Sequence, residues 1–176
     1  MGGTIQLETK RLVLRKHVAE DAEFLYSVLG TDEASYEYSG WNPYATPEMA
    51  RETVGRFIDS YDDEDFYGWA ITLDGEIIGT IGAYDYDPEE SSIEAGISIA
   101  REYWGRGYAT EAIERVLRYL TEDRKIGVVK AWCADDNIGS SRIMEKCGMT
   151  KVNVEKGALE INGKVYARID YEYSAM

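Results

Sequence analysis

The chain has 176 residues, a length that favours a single domain over residues 1–176. It is 44% hydrophobic and 30% charged, as soluble globular proteins are, and its net charge of −14 argues against nucleic acid as a partner, because acidic surfaces repel phosphate. One histidine and two cysteines, which form no CxxC motif, argue against a zinc site and a disulfide framework, so we expect no metal.

His17 follows a strand-like segment and is expected at the surface. Cys147 has no histidine nearby in sequence, so we expect it to pack near a helix end and not to act as a nucleophile. No run reaches the roughly 18 apolar residues of a membrane span. An apolar signal region is also absent, so we expect a cytoplasmic protein without a membrane partner.

The first predicted elements are a strand and two helices. KRLVLRK at residues 10–16 has the character of a strand, and residues 19–29 place apolar side chains at helical spacing. Thr46 as a cap and Pro47 in the first turn predict a second helix that runs to about Tyr61. The connection at 31–47 is rich in aromatic residues, and long connections in compact domains are often functional.

A hairpin and a further strand follow. FYGWAITL and EIIGTIGAY are joined by an Asp-Gly pair at 74–75, which is a strong signal for a tight turn because glycine accepts a positive φ. SIEAGISIA at 92–100 predicts the next strand. Gly96 within it indicates either a bulge or a close approach of backbone.

The second half alternates helices and strands. Residues 109–120 place every apolar side chain on one helical face, and GVVKAWCA predicts a strand after them. A short helix around SSRIMEKC ends at a glycine, and an Asn-Gly turn at 162–163 joins two final strands over 149–161 and 164–174. The order β-α-α-β-β-β-α-β-α-β-β predicts an α/β (α+β) fold with helices packed on a mixed sheet.

The stretch YWGRGYATEA at 103–112 places two glycines just before a helix. It is not a dinucleotide fingerprint, because the sixth position from Gly105 is Thr110, and it is not a P-loop, because Gly107 follows Arg106. A helix end with free N–H groups can bind an anion, and Arg106 adds a positive charge. The alternative is a tight turn whose glycines serve geometry alone.

YWGRGYATEA together with ADDNIGSSRIMEKCGMTKV resembles the GNAT N-acetyltransferase superfamily. Trp104, Gly107 and Ala109 occupy the places of its signature, and a Trp in the first place is similar to the RimJ/RimL branch of ribosomal-protein N-acetyltransferases. The opening ETKRLVLRKHVAEDAEFLY and the closing INGKVYARIDYEYS also resemble that branch, so the likeness covers the whole chain. It implies one mixed, mostly antiparallel, twisted sheet of about seven strands flanked by four helices.

The resemblance implies acetyl-coenzyme A as cofactor. A bulged strand would hold the pantetheine arm through backbone groups near Ile97, Ser98 and Ile99. Asn137 and Ser140 match positions that contact the arm or its sulfur, although Asn137 is also suited to cap a helix. The pyrophosphate would be bound by Trp104, Gly105, Arg106, Gly107, Tyr108, Ala109 and Thr110.

The implied reaction is direct attack by a neutral amine, which needs a base for the amine and an acid for the leaving thiol. Many relatives use a tyrosine as the acid, but Met144 stands at that place. Ser140 is the candidate that would stabilise the thiolate, and water or another tyrosine are the alternatives. Glu94, on the strand beside the acetyl site, is the candidate base, because burial there would raise its pKa. The alternative for Glu94 is a salt bridge on an exposed strand.

The acceptor is expected to be a primary amine of a small molecule or of a protein N-terminus. Aromatic faces suit a cation, and the candidates for contact with it are Tyr36, Tyr38, Trp41 and Tyr84. Packing over the sheet is the alternative for these side chains. A non-catalytic sensor of acetyl-coenzyme A, the transfer of a longer acyl group and a homodimer all stay open.

Overall fold

The computed structural model describes residues 3–175, whose strands form one mixed sheet. The strands are β1 (Leu7–Glu8), β2 (Leu12–Arg15), β3 (Tyr67–Leu73), β4 (Glu76–Asp87), β5 (Ser92–Ile99), β6 (Val128–Ala134), β7 (Thr150–Ile161) and β8 (Lys164–Tyr173). Over the described residues the sheet has eight strands in the order β1-β2-β3-β4-β5-β6-β8-β7, and neighbours are antiparallel except β5 and β6. The expected mixed, mostly antiparallel sheet is confirmed, with one strand more than the seven expected. That strand is β1, whose two residues are too few to show an alternating pattern.

Four helices flank this sheet within the same residues, as expected. They are α1 (Asp21–Phe24, continued by a π-helical segment Leu25–Gly30), α2 (Pro47–Ser60), α3 (Tyr108–Arg118, continued by Tyr119–Asp123) and α4 (Ile138–Lys146). Short 3-10 turns lie at Glu33–Ser35 and Arg101–Tyr103.

Capping and turn residues explain where these elements begin and where the chain reverses direction. Thr46 caps α2, because its hydroxyl accepts a hydrogen bond of 3.1 Å from the Met49 N–H. The turn between β3 and β4 has positive φ at Asp74 and Gly75, and the turn between β7 and β8 repeats this at 162–163. Both predicted hairpins are therefore confirmed.

Two cores lie between the helices and the sheet. The larger one includes the apolar face of α3, as its spacing predicts, and buries Leu14, Ile71, Ile93, Ile113, Leu117 and Met144. A smaller one between α1 and α2 buries Ala22, Leu25, Leu29, Ala50, Val54 and Ala100. The second core joins α1 to α2 and reaches the end of β5 through Ala100, the residue after that strand.

The centre of the sheet contains a gap. The parallel strands β5 and β6 share register along Ser92–Glu94 and diverge after Glu94 within the described chain. Gly96 causes no bulge, because its register with Gly82 on β4 is continuous, and the irregularity lies instead between Tyr84 and Asp87. The close approach is made by a side chain and not by backbone, since a Cβ at Gly96 would lie 3.2 Å from the Tyr84 hydroxyl. The bulge prediction was wrong because the glycine makes room for a side chain and not for an extra residue.

Candidate active site

The predicted anion site lies at the start of α3. Gly105 and Gly107 have φ of +74° and +81°, a region that favours glycine, and Gly107 is the N-cap residue. No side chain of residues 3–175 caps this end, so the first N–H groups of α3, at 108–110, are left for a ligand. The helix dipole adds partial positive charge at the same place.

Arg11 fixes this turn, and the sequence interpretation missed it. Its Nε lies 2.8 Å from Glu111 Oε1, its Nη1 donates to the Arg106 carbonyl at 3.0 Å, and its guanidinium lies 4.3 Å from the centre of the Tyr108 ring. A Cβ at Gly107 would come within 3.3 Å of this guanidinium. Arg11 thus brings a second positive charge to the turn beside Arg106. The spacing carries no signal for a contact between residues so far apart in sequence.

Backbone groups of β5 face the gap beside this turn. The Val128 N–H donates to the Ser91 carbonyl and the Ala100 N–H donates to the Ile78 carbonyl, so odd-numbered residues point toward β6 and even-numbered ones toward β4. The backbone groups of Ile97 and Ile99 therefore face the gap, whereas those of Ser98 face β4. The Trp104 indole N–H donates to the Ile99 carbonyl at 2.7 Å and so ties the turn to this strand.

A cavity of about 700 Å³ occupies the gap. It brings together residues from β4, β5, β6, α4 and the aromatic connection, and those expected at the site are Tyr36, Tyr38, Trp41, Tyr84, Ile97, Ser98, Asn137 and Ser140. Glu94, Ile99 and the turn at 104–110 are not part of its wall. Residues predicted to bind the arm and residues predicted to bind the acceptor therefore line the same cavity, whereas the turn at 104–110 lies outside it.

The start of α4 forms one wall of the cavity. The Asn137 side chain caps this helix by accepting a hydrogen bond of 3.2 Å from the Ser140 N–H, so the capping alternative for Asn137 is present. The Ser140 hydroxyl has no hydrogen-bond partner within residues 3–175 and is available to a ligand. Met144 is buried in the same wall, where it packs and cannot donate a proton.

Glu94 lies beside the cavity in a neighbouring polar cleft of about 310 Å³. It pairs with Tyr84 across β4 and β5, and its Oε1 is 4.0 Å from Arg168, so the salt-bridge alternative is also present. Burial raises the pKa of Glu94 above its ordinary value against the opposing effects of the Tyr84 hydroxyl and Arg168. Tyr84 connects Glu94 to the cavity, because it lines the cavity and interacts with the carboxylate.

The aromatic connection covers the cavity from the side of α1 and α2. Tyr38 packs edge-on against Tyr166 of β8, with ring centres 5.7 Å apart, and its hydroxyl lies 3.4 Å from the Asp136 carbonyl. Trp41 is 64% exposed although its side chain lines the cavity. The packing alternative thus fits Tyr38, whereas Trp41 has little packing to explain it.

His17 is not at the surface, and this expectation was wrong. It is 2% exposed beneath α1 and α2, with its Nδ1 3.1 Å from Asp21 and its Nε2 2.9 Å from Thr80, a residue of the cavity wall. Asp21 also receives two hydrogen bonds of 2.9 Å from Arg15. Cys147 is buried at the end of α4, as expected.

Residues 3–175 contain neither a candidate metal site nor a candidate membrane-spanning helix. Among them, no group of three or more histidine, cysteine or acidic side chains could hold a metal ion. No helix in this part of the chain is both long and apolar enough to cross a membrane.

A helix start with free N–H groups, beside strand edges with free backbone groups, is the arrangement expected of a coenzyme A-dependent transferase. Residues 11–150 match the family described as the acetyltransferase (GNAT) domain, and the chain belongs to that family. It is therefore an N-acetyltransferase whose cofactor is acetyl-coenzyme A.

Individual relatives agree with this assignment. The uncharacterized N-acetyltransferase YoaA of Bacillus subtilis is 30% identical over 162 residues, which are 91% of either chain. The fold matches a GNAT-family acetyltransferase of Bacillus anthracis with a TM-score of 0.84 and 23% identity, over 97% of this chain and 98% of that one. It also matches RimL, a ribosomal L7/L12 alpha-N-protein acetyltransferase solved with coenzyme A, with a TM-score of 0.86 and 17% identity over 97% and 98%.

Proposed function

We propose that the protein transfers an acetyl group to a primary amine of a small molecule or a protein N-terminus by direct attack. The observation that carries this proposal is that one cavity is lined both by the wall suited to the cofactor arm and by the aromatic connection. Both substrates can meet there without a covalent enzyme intermediate. Cys133 lines the cavity, but burial raises the pKa of its thiol to about 11, so it is a poor nucleophile.

The residues fit the cofactor in three places. The N–H groups at the start of α3, with Arg106 and Arg11, would hold the pyrophosphate. The backbone groups of Ile97 and the N–H of Ile99 face the gap and would hold the arm. When bound, acetyl-coenzyme A supplies an activated thioester. Ser140 offers a free hydroxyl in the cavity wall, and we propose that it donates a hydrogen bond to the leaving sulfur.

We propose that Glu94 removes the proton with which an amine enters at neutral pH. Its raised pKa suits a group that accepts and releases protons, and the polar cleft beside it gives the proton a path to water. Tyr84 would carry the interaction from the carboxylate to the cavity. The acidic chain and the aromatic connection both favour a cationic acceptor. RimL, by its name, modifies an alpha-amine, which supports a protein N-terminus as one acceptor class.

The proposal is tested by thiol release with acetyl-coenzyme A and a panel of amines and N-terminal peptides. We expect turnover on at least one member, confirmed by mass spectrometry of the acetylated product. Binding of coenzyme A without turnover on any amine would favour the sensor, and a preference for propionyl or succinyl thioesters would favour a longer acyl group.

The cofactor site has its own variant and a matched control. Gly107→Glu places a carboxylate where the pyrophosphate is expected, so coenzyme A binding, measured by calorimetry, should weaken at least tenfold. Gly75→Glu serves as the control, because Gly75 has a similar φ of +83° in a turn away from the site and no neighbour within 4 Å of an added Cβ. Equal binding by the two variants would contradict the assignment.

A further inference from the structure

His17 is the middle of a hydrogen-bonded row that leads from the protein interior to the cavity. Its Nδ1 faces Asp21 Oδ2 at 3.1 Å and its Nε2 faces Thr80 Oγ1 at 2.9 Å. Its backbone N–H donates to the Tyr61 hydroxyl at 2.7 Å, which fixes the residue in place. Carboxylate, imidazole and hydroxyl thus form one line that ends at Thr80.

Thr80 is the end of this row that a substrate can reach. It is half-buried, lines the cavity, and lies opposite Ser98 in the register of β4 and β5. Ser98 stands between Ile97 and Ile99, the two residues whose backbone groups face the gap. The hydroxyl is therefore beside the place where the reaction is proposed to occur.

The row is hydrogen-bonded in either protonation state of the ring. With a neutral ring, Nδ1–H donates to Asp21 and the Thr80 hydroxyl donates to Nε2. With a protonated ring, Nε2–H donates to Thr80 Oγ1, and the Thr80 hydroxyl can turn to the Trp69 carbonyl, 3.3 Å away. A buried group that loses its hydrogen bonds on ionising would be costly to protonate, and His17 avoids that cost.

The groups that surround the ring balance its charge. Asp21 of α1 and Arg15 of β2 form an ion pair on one side, and the Phe57 ring of α2 lies 5.2 Å away on another. Burial alone would raise the pKa of Asp21, but hydrogen bonds from Arg15, His17 and the Val18 N–H lower it well below its ordinary value. Burial raises the pKa of Tyr61 to about 12, so this neighbour is neutral. A protonated His17 would therefore face a permanent carboxylate.

We propose that Thr80 takes a proton from the acceptor amine during attack and that His17 acts through it as the proton acceptor. The amine N–H bond breaks as an O–H bond forms at Thr80 Oγ1, and the former Thr80 proton moves to His17 Nε2, where the imidazolium faces Asp21. The proton returns to water after the product leaves, and no electrons are exchanged. The inference rests on the proposed function. It adds a second proton acceptor besides Glu94, because an ammonium loses two protons on becoming an amide.

The first test uses the free protein, where the chain's only histidine gives one assignable imidazole signal in NMR. We expect the chemical shift of Nε2 to report its hydrogen bond with Thr80 Oγ1 and that of Nδ1 to report its hydrogen bond with Asp21. Thr80→Val should change the Nε2 shift, because that nitrogen loses its partner, and should leave the Nδ1 shift in place. An Nε2 shift that is the same in the wild type and in Thr80→Val would overturn the proposal.

The second test is kinetic and uses matched threonines. Thr80→Val should lower kcat about 100-fold at saturating substrates and change the pH profile of kcat, with coenzyme A binding unchanged. Thr80→Ser keeps the hydroxyl and should keep the rate. Thr72→Val is the control, because its buried hydroxyl donates to the Val13 carbonyl at 2.8 Å on the neighbouring strand, and it should keep both rate and profile.

These outcomes separate the inference from the function on which it rests. If the wild-type protein acetylates amines and Thr80→Val keeps its rate and pH profile, the relay alone is wrong. If the wild-type protein acetylates no amine, the proposed function is wrong and the relay falls with it. Melting temperatures of all variants show whether any loss of rate comes from unfolding.

Discussion

Two carboxylate–arginine pairs near the cavity behave in opposite ways. Asp21 accepts two hydrogen bonds of 2.9 Å from Arg15, whereas Glu94 has one contact of 4.0 Å with Arg168. Burial opposes the charge in both places, yet the pKa of Asp21 falls and that of Glu94 rises. The comparison teaches that burial sets the penalty and that the geometry of the pairing decides whether it is overcome. Asp21 is thus held as a permanent charge, while Glu94 can exchange a proton.

The largest effect is expected when the tight pair is broken. Asp21→Asn should lower the free energy of unfolding by about 3 kcal/mol, because it leaves the Arg15 charge uncompensated beside a buried histidine. This value is the low end of the range for breaking a buried ion pair, since the Arg15 side chain is 29% exposed. Denaturant unfolding measures it. Glu52→Gln on the exposed face of α2 is the control and should change stability by less than about 0.5 kcal/mol.

The same variant has a pH signature. The folded pKa of Asp21 lies below its ordinary 3.8, so its contribution is fully present above that value and is lost as pH falls toward the folded pKa. The difference in stability between wild type and Asp21→Asn should therefore shrink below about pH 4. A difference that stays constant into this range would mean that the pair does not lower the pKa.

The loose pair is tested through catalysis. Glu94→Gln should lower kcat/KM about 100-fold near neutral pH, and the rate should recover as pH rises and the amine becomes neutral in solution. Thr80→Val should show no such recovery, which distinguishes the two proton acceptors. Glu90→Gln in the exposed turn before β5 is the matched control. An unchanged pH–rate profile would remove Glu94 from the mechanism.

A smaller effect is expected when the tight pair is loosened. Arg15→Lys keeps the charge but loses the two-pronged contact with Asp21, so stability should fall by about 1 kcal/mol. Thermal unfolding at neutral and acidic pH measures it. The loss should begin at a higher pH than in the wild type, because the pKa of Asp21 would be lowered less; an identical acid profile would contradict this account.

The smallest effect is expected at Arg168. This side chain is 37% exposed, and its charge lowers the pKa of Glu94 only in part. Arg168→Met keeps an apolar stem over the Trp132 ring and should move the acidic limb of kcat/KM upward by less than about one pH unit. A downward shift would show that Arg168 does not act on Glu94 through its charge.

Local signals explain what could be predicted from the sequence. Thr46 caps α2, 74–75 and 162–163 turn the chain, and Gly107 begins α3, because each of these roles depends on a residue and its immediate neighbours. The resemblance predicted Asn137 and Ser140 for the cofactor arm, and the long aromatic connection predicted Trp41 for the acceptor. All three line one cavity.

Contacts between distant parts of the chain explain what could not. His17 was predicted at the surface because the groups that bury it come from α1, α2 and β4. The spacing of these groups in the sequence does not predict that they contact His17. Arg11 is hidden in the same way, since Glu111 lies a hundred positions away. The prediction at Gly96 was wrong because a bulge, a close backbone and a close side chain all favour glycine, and only the side chain is present.

The divergence of β5 and β6 also has a mechanical meaning. The sheet is two blocks, β1 to β5 and β6-β8-β7, hydrogen-bonded to each other along Ser92–Glu94. A ligand whose amides hydrogen-bond to Ile97 and Ile99 while it contacts β6 acts as a substitute strand that connects the two blocks. Because such a ligand binds only the folded chain, its binding raises the free energy of unfolding of the whole chain. The N–H groups of Ile97 and Ile99 should then change from fast-exchanging to protected when coenzyme A binds.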